Sequence, residues 1–282
     1  MTTRRGSCAW TDKRDMSERR VKAPPKKLLI EERRRAIVDI LRDDGRVTVD
    51  NLVARYGVSA VTIRGDLEAL ELAGLAKRSH GGAVPADPSP QDVPLPIKET
   101  RRLAEKRRIG DAAARMVNDG ETIILDSGST TVEIARCIRQ RKWNGLTVIT
   151  NALNIALELS GLSTVRVMML GGMLRQTSYS LVGTDAERAL ARLSADRLFL
   201  GVDGLDTKVG VTTPDPQEAS LNAMMVKCSR EVVAVLDASK IGQRSLAVIT
   251  PIAGLNVVIT DTTAPKDAVN ALREQGVEVQ LV

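Results

Sequence analysis

The second half of the chain alternates short apolar runs with helical stretches, and this alternation constrains its fold most strongly. Seven runs rich in Val, Ile and Leu follow one another: Thr122–Asp126, Leu146–Thr150, Arg166–Leu170, Arg197–Gly201, Val232–Asp237, Val257–Asp261 and Val277–Leu281. Helical patterns separate them, for example over Val132–Arg139, Asp185–Leu193, Gln217–Ser229 and Pro265–Gln275. Strands that are apolar throughout are buried on both faces, as in a parallel sheet covered by helices. The alternation therefore predicts an α/β fold with a doubly wound, mostly parallel sheet.

The first half has a different pattern, that of three helices followed by a hairpin. Apolar periodicity predicts helices over residues 28–43, 49–56 and 60–73, with Thr48 and Ser59 placed to cap the second and third. Two short extended pieces about Gly81-Gly82 follow, between residues 75 and 84. Three helices and a hairpin are typical of a winged helix-turn-helix, in which the third helix enters the major groove of DNA.

Prolines at positions 85, 88, 90, 94 and 96 mark the boundary between the two halves. They predict a semi-rigid linker, after which a charged helix, Lys98–Val117, leads into the alternating half. Residues 1–27 have no apolar periodicity and are expected to form a disordered basic tail. The expected organisation is a tail over 1–27 and a winged helix-turn-helix domain over 28–84. A linker with the start of the connecting helix follows over 85–104, and an α/β domain over 105–282.

Charge is distributed unevenly between the halves. The chain carries a net charge of +6, and residues 1–108 contain 24 Lys and Arg against 16 Asp and Glu. The remaining residues contain 17 basic against 19 acidic side chains. A basic first half fits a module that binds a polyanion, and a solvated basic surface would explain the charge equally well.

Composition also limits the chemistry that we expect. The three cysteines are widely spaced, which indicates reduced thiols, and a single histidine, His80, makes a zinc site implausible. Apolar runs fall far short of the ~20 residues of a membrane span. No apolar segment follows Arg4-Arg5 within thirty residues, as an export signal would require. We expect a cytoplasmic protein without a metal or cofactor.

The start of the third predicted helix carries candidate DNA-reading residues. Ile63, Leu67 and Leu70 form the stripe that faces the other helices, which leaves the opposite face to solvent. Arg64 beside that face could hold a guanine edge, grip a phosphate, or pair with Glu68 one turn later. His80 could contact DNA or be an ordered turn residue. The candidate DNA-binding residues are Ser59, Ala60, Val61, Thr62, Arg64, Gly65, Lys77, Arg78 and His80.

Three motifs carry a family resemblance in this half. They are Glu32-Arg-Arg-Arg-Ala-Ile-Val-Asp-Ile-Leu41, Val58-Ser-Ala-Val-Thr-Ile-Arg-Gly-Asp-Leu67 and His80-Gly-Gly-Ala83. Together they resemble the DNA-binding signature of the DeoR family of bacterial repressors, including its Ser-x-x-Thr-Ile-Arg-x-Asp-Leu core. Many members have a second basic residue after the arginine, where this chain has Gly65. The resemblance implies operator binding, with an affinity or base preference altered at that position.

Polar and glycine-rich turns follow the predicted strands of the second half. Ligands bind outside the carboxyl ends of the strands in doubly wound folds, so these turns are expected to lie together. Asp126-Ser-Gly-Ser-Thr-Thr131 offers hydroxyl and backbone N–H donors, as either an anion site or an ordinary capped turn would. The candidate ligand-binding residues are Asp126, Ser127, Gly128, Ser129, Thr130, Thr131, Thr150, Asn151, Gly171, Gly172, Arg175, Asp203, Glu218 and Lys240.

The same turns carry a second resemblance, from about Glu105 to Val282. Asp126–Thr131, Thr150-Asn151, Gly171-Gly172, Gly201-Val-Asp-Gly204 and Ser239-Lys240 match the effector domain of the DeoR family. That domain is similar in fold to ribose-5-phosphate isomerase, and the resemblance implies that these turns bind a phosphosugar. The stretches Leu125–Ala135 and Gly276–Val282 look closest to repressors of N-acetylgalactosamine and other amino-sugar pathways.

Two functions of different classes are compatible with these patterns. The resemblance implies a repressor of a sugar-catabolic operon that a phosphorylated sugar releases from operator DNA, without a membrane partner. Symmetric operators would require a homo-oligomer, a dimer or tetramer.

The alternative function is an active phosphosugar isomerase with an accessory DNA-binding domain. Asp203, Asp206 and Glu218 would then be remnants of groups that move protons and stabilise an enediolate. The isomerase pattern places a lysine before a glycine run, whereas Lys208 lies in Thr207–Pro214 without one. We therefore expect no enzyme. A DNA-compacting protein without an effector would leave the larger domain without a task.

Overall fold

The computed structural model describes residues 29–73, 75–79, 81–85 and 92–282. Its N-terminal unit contains helix α1 (Ile30–Asp44), strand β1 (Val47–Thr48), helix α2 (Val49–Tyr56) and helix α3 (Ala60–Leu72). Strands β2 (Ala76–Ser79) and β3 (Gly82–Pro85) complete it, and β3 pairs antiparallel with both β1 and β2. The predicted helices and hairpin are present, and β1 is an unpredicted addition. The predicted tail over 1–27 lies outside the described residues.

Local sequence explains where the helices of this unit begin and end. Thr48 and Ser59 cap α2 and α3 as predicted, because each side-chain oxygen accepts the N–H of the residue three positions later, at 3.3 and 3.1 Å. Helices α1 and α2 end at Gly45 and Gly57, whose φ angles of 70° and 64° lie in the left-handed region that favours glycine.

The apolar faces of these helices meet in one small core. Its fully buried side chains are Ile37, Leu41, Leu52, Ile63 and Leu67. Burying one such side chain contributes ~1.5–3 kcal/mol relative to leaving it in water. This packing fixes which face of α3 points away from the unit.

The segment that joins the two halves is not the single helix predicted over Lys98–Val117, and that prediction is wrong. It contains helix α4 (Leu95–Thr100) and helix α5 (Leu103–Arg115). Between them Arg102 has φ 49° and ψ 40°, a left-handed conformation that interrupts a helix. The Nζ of Lys106 donates to the carbonyl oxygens of Lys98 and Arg101, the latter at 2.7 Å. A side chain thus satisfies carbonyl groups that backbone N–H groups would satisfy in a continuous helix.

The C-terminal unit contains twelve strands among the described residues. In chain order they are β4 (Thr122–Leu125), β5 (Leu146–Thr150), β6 (Val165–Met169), β7 (Met173–Arg175), β8 (Ser180–Val182), β9 (Ala195–Gly201), β10 (Gly204–Asp206), β11 (Gly210–Thr213), β12 (Ser229–Val235), β13 (Ala247–Thr250), β14 (Val257–Thr260) and β15 (Glu278–Leu281).

All seven predicted apolar runs form strands of one parallel sheet. Its order is β15-β14-β12-β9-β4-β5-β6, and each neighbouring pair is parallel. The doubly wound α/β prediction is therefore confirmed. The order reverses at β4, because the chain moves to β5 and β6 on one side and later fills the other side from β9 outward. Such a reversal is where ligands bind in this class of fold.

Five helices accompany these strands. They are α6 (Thr131–Arg139), α7 (Leu153–Leu159), α8 (Thr184–Leu190), α9 (Pro216–Cys228) and α10 (Lys266–Glu274). Side chains from the two faces of the sheet contribute to two separate apolar cores, as expected for a sheet covered on both sides. Helix α7, the hairpin β7–β8 and the antiparallel sheet β10-β11-β13 were not predicted.

None of the helices that the structure describes is both long and apolar enough to span a bilayer. Over the same residues, no group of three or more His, Cys, Asp or Glu side chains is arranged to hold a metal ion.

Candidate functional site

One face of α3 is free for contact with a ligand outside the N-terminal unit. Val61 is 75% exposed, and Thr62, Arg64 and Gly65 are exposed beside it. Ser59 lies exposed at the helix start, where its Oγ is 2.8 Å from Oγ1 of Thr62. The predicted reading residues of this helix are thus on one surface, with Ala60 half-buried at its margin.

The Arg64 side chain is exposed beside this face. No carboxylate of the described residues forms an ion pair with it, so the alternative pairing with Glu68 is not formed. Gly65 is equally open, because a Cβ built on it would meet no atom within 4 Å. The first atom of a side chain at this position would therefore meet no obstacle among the described residues.

Asp66 has a structural task that sequence reasoning missed. Its carboxylate is 3% exposed and accepts hydrogen bonds from Nε of Arg33 at 2.6 Å and from Nε of Arg34 at 3.0 Å. These bonds tie α3 to α1 from the side opposite the exposed face. An acidic residue within the apolar stripe of α3, together with three consecutive arginines in α1, was the available signal.

The hairpin supplies further basic groups. Lys77 and Arg78 on β2 are exposed. The backbone N–H of Arg78 donates to Oε1 of Glu71 at 2.9 Å, which fixes the hairpin against the end of α3. His80, also predicted to contact DNA, lies outside the described residues.

A second candidate site lies where the order of the parallel sheet reverses. Asp126 follows β4, and its carboxylate accepts the N–H groups of Ser127 at 2.7 Å and Gly201 at 3.1 Å. Nδ2 of Asn222 on α9 donates to the same carboxylate at 3.2 Å. The Oδ1 of Asn222 has no hydrogen-bond partner among the described residues. Gly201 is required here, because a Cβ would lie 2.6 Å from the carbonyl oxygen of Ser127.

A cavity of about 480 Å³ opens at this point. That volume is within the range of small-molecule sites. Eight of the predicted ligand-binding residues line it: Asp126, Ser127, Gly128, Ser129, Thr130, Asp203, Glu218 and Lys240.

The other six predicted ligand-binding residues do not line the cavity. The Oγ1 of Thr131 donates to the carbonyl oxygen of Gly128 at 3.0 Å, and Oγ1 of Thr150 accepts the N–H of Ala152 at 3.0 Å. Asn151 is fully buried, and its Nδ2 donates to the carbonyl oxygen of Leu181. The remaining members of this group are Gly171, Gly172 and Arg175.

Glu218 is surrounded by donors. Its Oε1 accepts the hydroxyl groups of Ser178 at 2.5 Å and Ser180 at 2.7 Å, and Thr213 lies 3.4 Å from Oε2. Arg175 approaches Oε1 at 3.5 Å and also forms ion pairs with Asp92 and Asp215. Arg175 therefore positions Glu218 and the start of the joining segment.

The joining segment forms another wall of the cavity, which sequence reasoning missed. Lys98 on α4 forms an ion pair of 2.6 Å with Asp203, and Arg102 and Lys106 also line the space. Residues of the N-terminal unit, Asp44 and Gly45, complete this wall. The cavity is thus shared by the sheet, the joining segment and the end of α1.

The buried charges of the site have perturbed pKa values. Burial raises the pKa of Asp126 well above its ordinary value, and the nearby Glu218 charge adds to the effect. Burial also raises the pKa of Asp203, but the ammonium groups of Lys98 and Lys240 outweigh it and leave that pKa lowered. The cations thus favour the carboxylate form of Asp203, whereas burial disfavours the charged form of Asp126 and the N–H groups of Ser127 and Gly201 oppose that effect.

Two family models match the chain. The model described as the DeoR-like helix-turn-helix domain matches residues 33–89, and that described as the DeoR C terminal sensor domain matches residues 101–262. The first covers the unit with the exposed α3, and the second begins on the joining segment and covers most of the parallel sheet.

Curated relatives are similar to the chain over most of its length. It is 41% identical over 253 residues to a putative aga operon transcriptional repressor of Escherichia coli O157:H7, a match that covers 89% of this chain and 93% of that protein. It is 37% identical over 252 residues to the HTH-type transcriptional regulator GlpR of Haloferax volcanii, covering 89% and 98%. Among solved structures, ribose 5 phosphate isomerase A from Neisseria gonorrhoeae has a TM-score of 0.36 and 14% identity, covering 49% of this chain and 53% of that chain.

Proposed function

The chain belongs to the DeoR family of transcriptional regulators, and on that premise we propose that it represses a sugar-catabolic operon until a phosphorylated sugar fills the cavity. It is a DNA-binding regulator and not an enzyme. The curated relatives that it resembles are transcriptional regulators as well. The observation that carries the proposal is the cavity at the reversal of the sheet. It combines hydroxyl groups, backbone N–H groups and ammonium groups beside a unit whose α3 is exposed.

We assign operator reading to residues 28–84, the linker to 85–104 and sugar sensing to 105–282. Arg64 is the long donor at the exposed start of α3 and is assigned to a base edge or a phosphate. Ser59 and Thr62 lie at the helix N-terminus, where a DNA phosphate is favoured. The small side chains of Ala60 and Val61 fit a thymine methyl group. Gly65 leaves room at the same surface, and Lys77, Arg78 and His80 of the hairpin are assigned to the adjacent DNA backbone.

For the effector, we assign the phosphate to the turn Ser127–Thr131 and to Lys240. This turn opens α6, so its N–H groups and the helix dipole favour an anion. The sugar hydroxyl groups are assigned to Asp126, Asp203 and Glu218. Thr131 supports this turn by donating to the carbonyl oxygen of Gly128, and Arg175 supports Glu218, whereas Thr150, Asn151, Gly171 and Gly172 do not line the cavity.

The contacts of the acidic residues favour binding over isomerisation. A base that abstracts a proton needs a lone pair directed at the substrate. Asp203 is ion-paired with Lys98, and one oxygen of Glu218 already accepts two hydroxyl groups. Both carboxylates are therefore arranged to orient hydroxyl groups, and the isomerase alternative is not favoured.

An amino-sugar phosphate is the proposed effector class. The sequence resemblance to amino-sugar repressors and the name of the aga operon relative support this class. We further propose that the chain acts as a homo-oligomer in the cytoplasm, because a single winged helix buries little DNA and operators are symmetric. Light scattering with and without operator DNA measures the oligomeric state.

The function is tested by operator binding against a panel of sugar phosphates. DNA selected by the protein from a random pool supplies the operator, and fluorescence anisotropy follows its release. Amino-sugar 6-phosphates are titrated first, then hexose and pentose phosphates, each with its unphosphorylated sugar as matched control. Release by a phosphorylated sugar alone is the expected result. Failure of every sugar phosphate to release the operator, or catalysed interconversion of one of them, contradicts the proposal.

A further inference from the structure

The joining segment brings four cationic side chains to the cavity, those of Lys98, Arg101, Arg102 and Lys106. None of them belongs to a turn at the edge of the sheet. Lys98 is neutralised by Asp203. The contacts of Arg102 and Lys106 are of another kind, and their surroundings suit an anion that comes from outside the protein.

Lys106 is a buried cation without an anionic partner. Lys106 is only 3% exposed, and its Nζ donates to two backbone carbonyl oxygens. In the described part of the chain, no carboxylate forms an ion pair with it. Burial lowers its pKa to about 8, because Asp237 opposes this effect only in part and the charges of Lys240, Lys98 and Arg101 add to it. A buried ammonium group is costly unless an anion is close to it.

Arg102 is held loosely between two carboxylates. Its Nη2 lies 3.4 Å from Oδ1 of Asp44, and its Nε lies 3.6 Å from Oδ1 of Asp237. Both distances exceed those of a close guanidinium–carboxylate pair. Asp44 is the last residue of α1, whereas Asp237 follows β12 of the parallel sheet. Arg102 therefore joins the DNA-reading unit to the sensing unit through contacts that a stronger anion would displace.

A second contact joins the units at the same wall. The amide of Gln243 lies against Gly45, so close that a Cβ there would be 2.3 Å from Nε2. The end of α1 is thus seated directly on the cavity, beside the groups that a ligand would engage.

We propose that Arg102 and Lys106 bind the anionic group of the effector together with the turn Ser127–Thr131 and Lys240, and that this binding removes Arg102 from Asp44 and releases the DNA-reading unit from the sensing unit. The proposal rests on the proposed function, since it concerns the same cavity and an anionic effector. A phosphate offers a guanidinium group two parallel hydrogen bonds, which neither present carboxylate contact provides. A ligand shifts an equilibrium only through its preference for one state, and here it prefers the state in which Arg102 is free of Asp44.

Release of the unit explains loss of DNA binding without any change in α3 itself. In the proposed homo-oligomer, the spacing of two reading helices must match the spacing of two half-sites. While α1 is seated on the cavity wall, that spacing is set by the sensing units. Once α1 is free, the spacing of the two reading helices varies. DNA binding must then fix that spacing at a cost in entropy, so the affinity for the operator falls.

The test uses sulfate as the probe, because it mimics a phosphate dianion and does not titrate near neutral pH. Calorimetry measures sulfate affinity, and anisotropy measures operator affinity in sodium sulfate and in sodium chloride of equal ionic strength. Chloride is needed because salt alone weakens DNA binding. We expect sulfate to bind the full chain and to weaken operator binding at least threefold more than chloride does. Absence of sulfate binding overturns the proposal.

Four variants separate the roles of the residues. Arg102→Asn keeps a side chain that tolerates the left-handed backbone and removes the charge. We expect Arg102→Asn to bind sulfate about tenfold more weakly and to lose the specific effect of sulfate on operator binding. Arg102→Lys, which keeps the charge, should retain part of the sulfate affinity and part of that effect. Asp44→Asn should bind sulfate several-fold more tightly, because Arg102 is no longer shared. Lys106→Met should weaken sulfate binding, and a substitution of Asp44 in the same protein should not restore that affinity.

The controls distinguish failure of this assignment from failure of the proposed function. Arg115→Ala removes an exposed arginine that pairs with Asp111 away from the cavity, and should match the unchanged protein. Circular dichroism shows which variants are folded. If Lys106→Met does not fold, the result for Arg102→Asn still decides the test. If Arg102→Asn binds sulfate normally while Thr130→Val does not, the assignment is overturned and the proposed function stands. If no sugar phosphate of the panel releases the operator, the proposed function fails.

Discussion

Replacement of Asp66 by asparagine is expected to destabilise the DNA-reading unit and leave the sensing unit folded. The carboxylate of Asp66 is the shared partner of Arg33 and Arg34, and the side chain of Arg33 is only 7% exposed. An asparagine at this position would keep the size of the side chain and remove its charge, so that Arg33 would remain buried without a counter-ion. The cost arises mainly from that stranded guanidinium group.

The magnitude follows from the exposure of the two arginines. Removing one partner of a fully buried ion pair costs about 3–5 kcal/mol. Arg34 is 30% exposed and can turn toward water, so its contribution is reduced and the lower end, ~3 kcal/mol, is expected. A unit of this size has a free energy of unfolding of only ~3–8 kcal/mol. The variant therefore loses much of the stability of its reading unit.

Calorimetry and operator binding measure this effect together. We expect the thermal transition of the reading unit to move down while that of the sensing unit stays, with operator affinity reduced at about 37 °C and largely restored on cooling. Glu68→Gln is the matched control, because it removes an exposed charge from the same helix. Equal transitions in Asp66→Asn and Glu68→Gln would refute the view that Asp66 holds α3 on α1.

Four further outcomes follow from the exposed surfaces and the cavity. Arg64→Ala should lower operator affinity by about 1–3 kcal/mol, which a competition assay against random DNA measures, and an affinity within twofold of the unchanged protein would contradict its role. Gly65→Arg should raise operator affinity and its salt dependence, since nothing occupies the space beside Gly65. Thr130→Val should weaken effector binding by about 1–3 kcal/mol with operator binding intact, and unchanged release would place the phosphate on the opposite wall of the cavity, at Arg102 and Lys106. Deletion of residues 1–24 should flatten the salt dependence and keep the preference for operator; collapse of that preference would show that the tail reads sequence.

The elements that were predicted correctly are those specified by local sequence. Helix α2 has the predicted bounds because Thr48 caps it and Gly57 ends it. The seven parallel strands were found because strands buried on both faces are apolar throughout. Strand β1 has only two residues and exists because it pairs with β3. Its formation therefore depends on a distant partner, which no local pattern reveals.

The candidate sites were predicted where their residues follow strand ends and missed where they come from the joining segment. Asp126 and Asp203 follow β4 and β9, so the topology of the sheet alone indicated that they lie together. Lys98 meets Asp203 across 105 positions of sequence. Residues 101–108 are good helix formers, so the interruption at Arg102 was not visible locally. It is stabilised by Lys106, whose contacts depend on the tertiary structure.

The strengths of the contacts indicate where a signal from the cavity would act. A path from the cavity to α3 passes through Arg102 and Asp44 to α1, and then through Arg33 to Asp66. The first pair is long and partly exposed, and such pairs contribute about 0–1 kcal/mol, whereas removing a partner from the second costs ~3 kcal/mol. Coupling between an effector and a distant ligand is typically about 1–3 kcal/mol. That energy is enough to separate Arg102 from Asp44 and too little to detach α3 from α1. The reading unit should therefore move as a rigid body on effector binding, with its own fold unchanged.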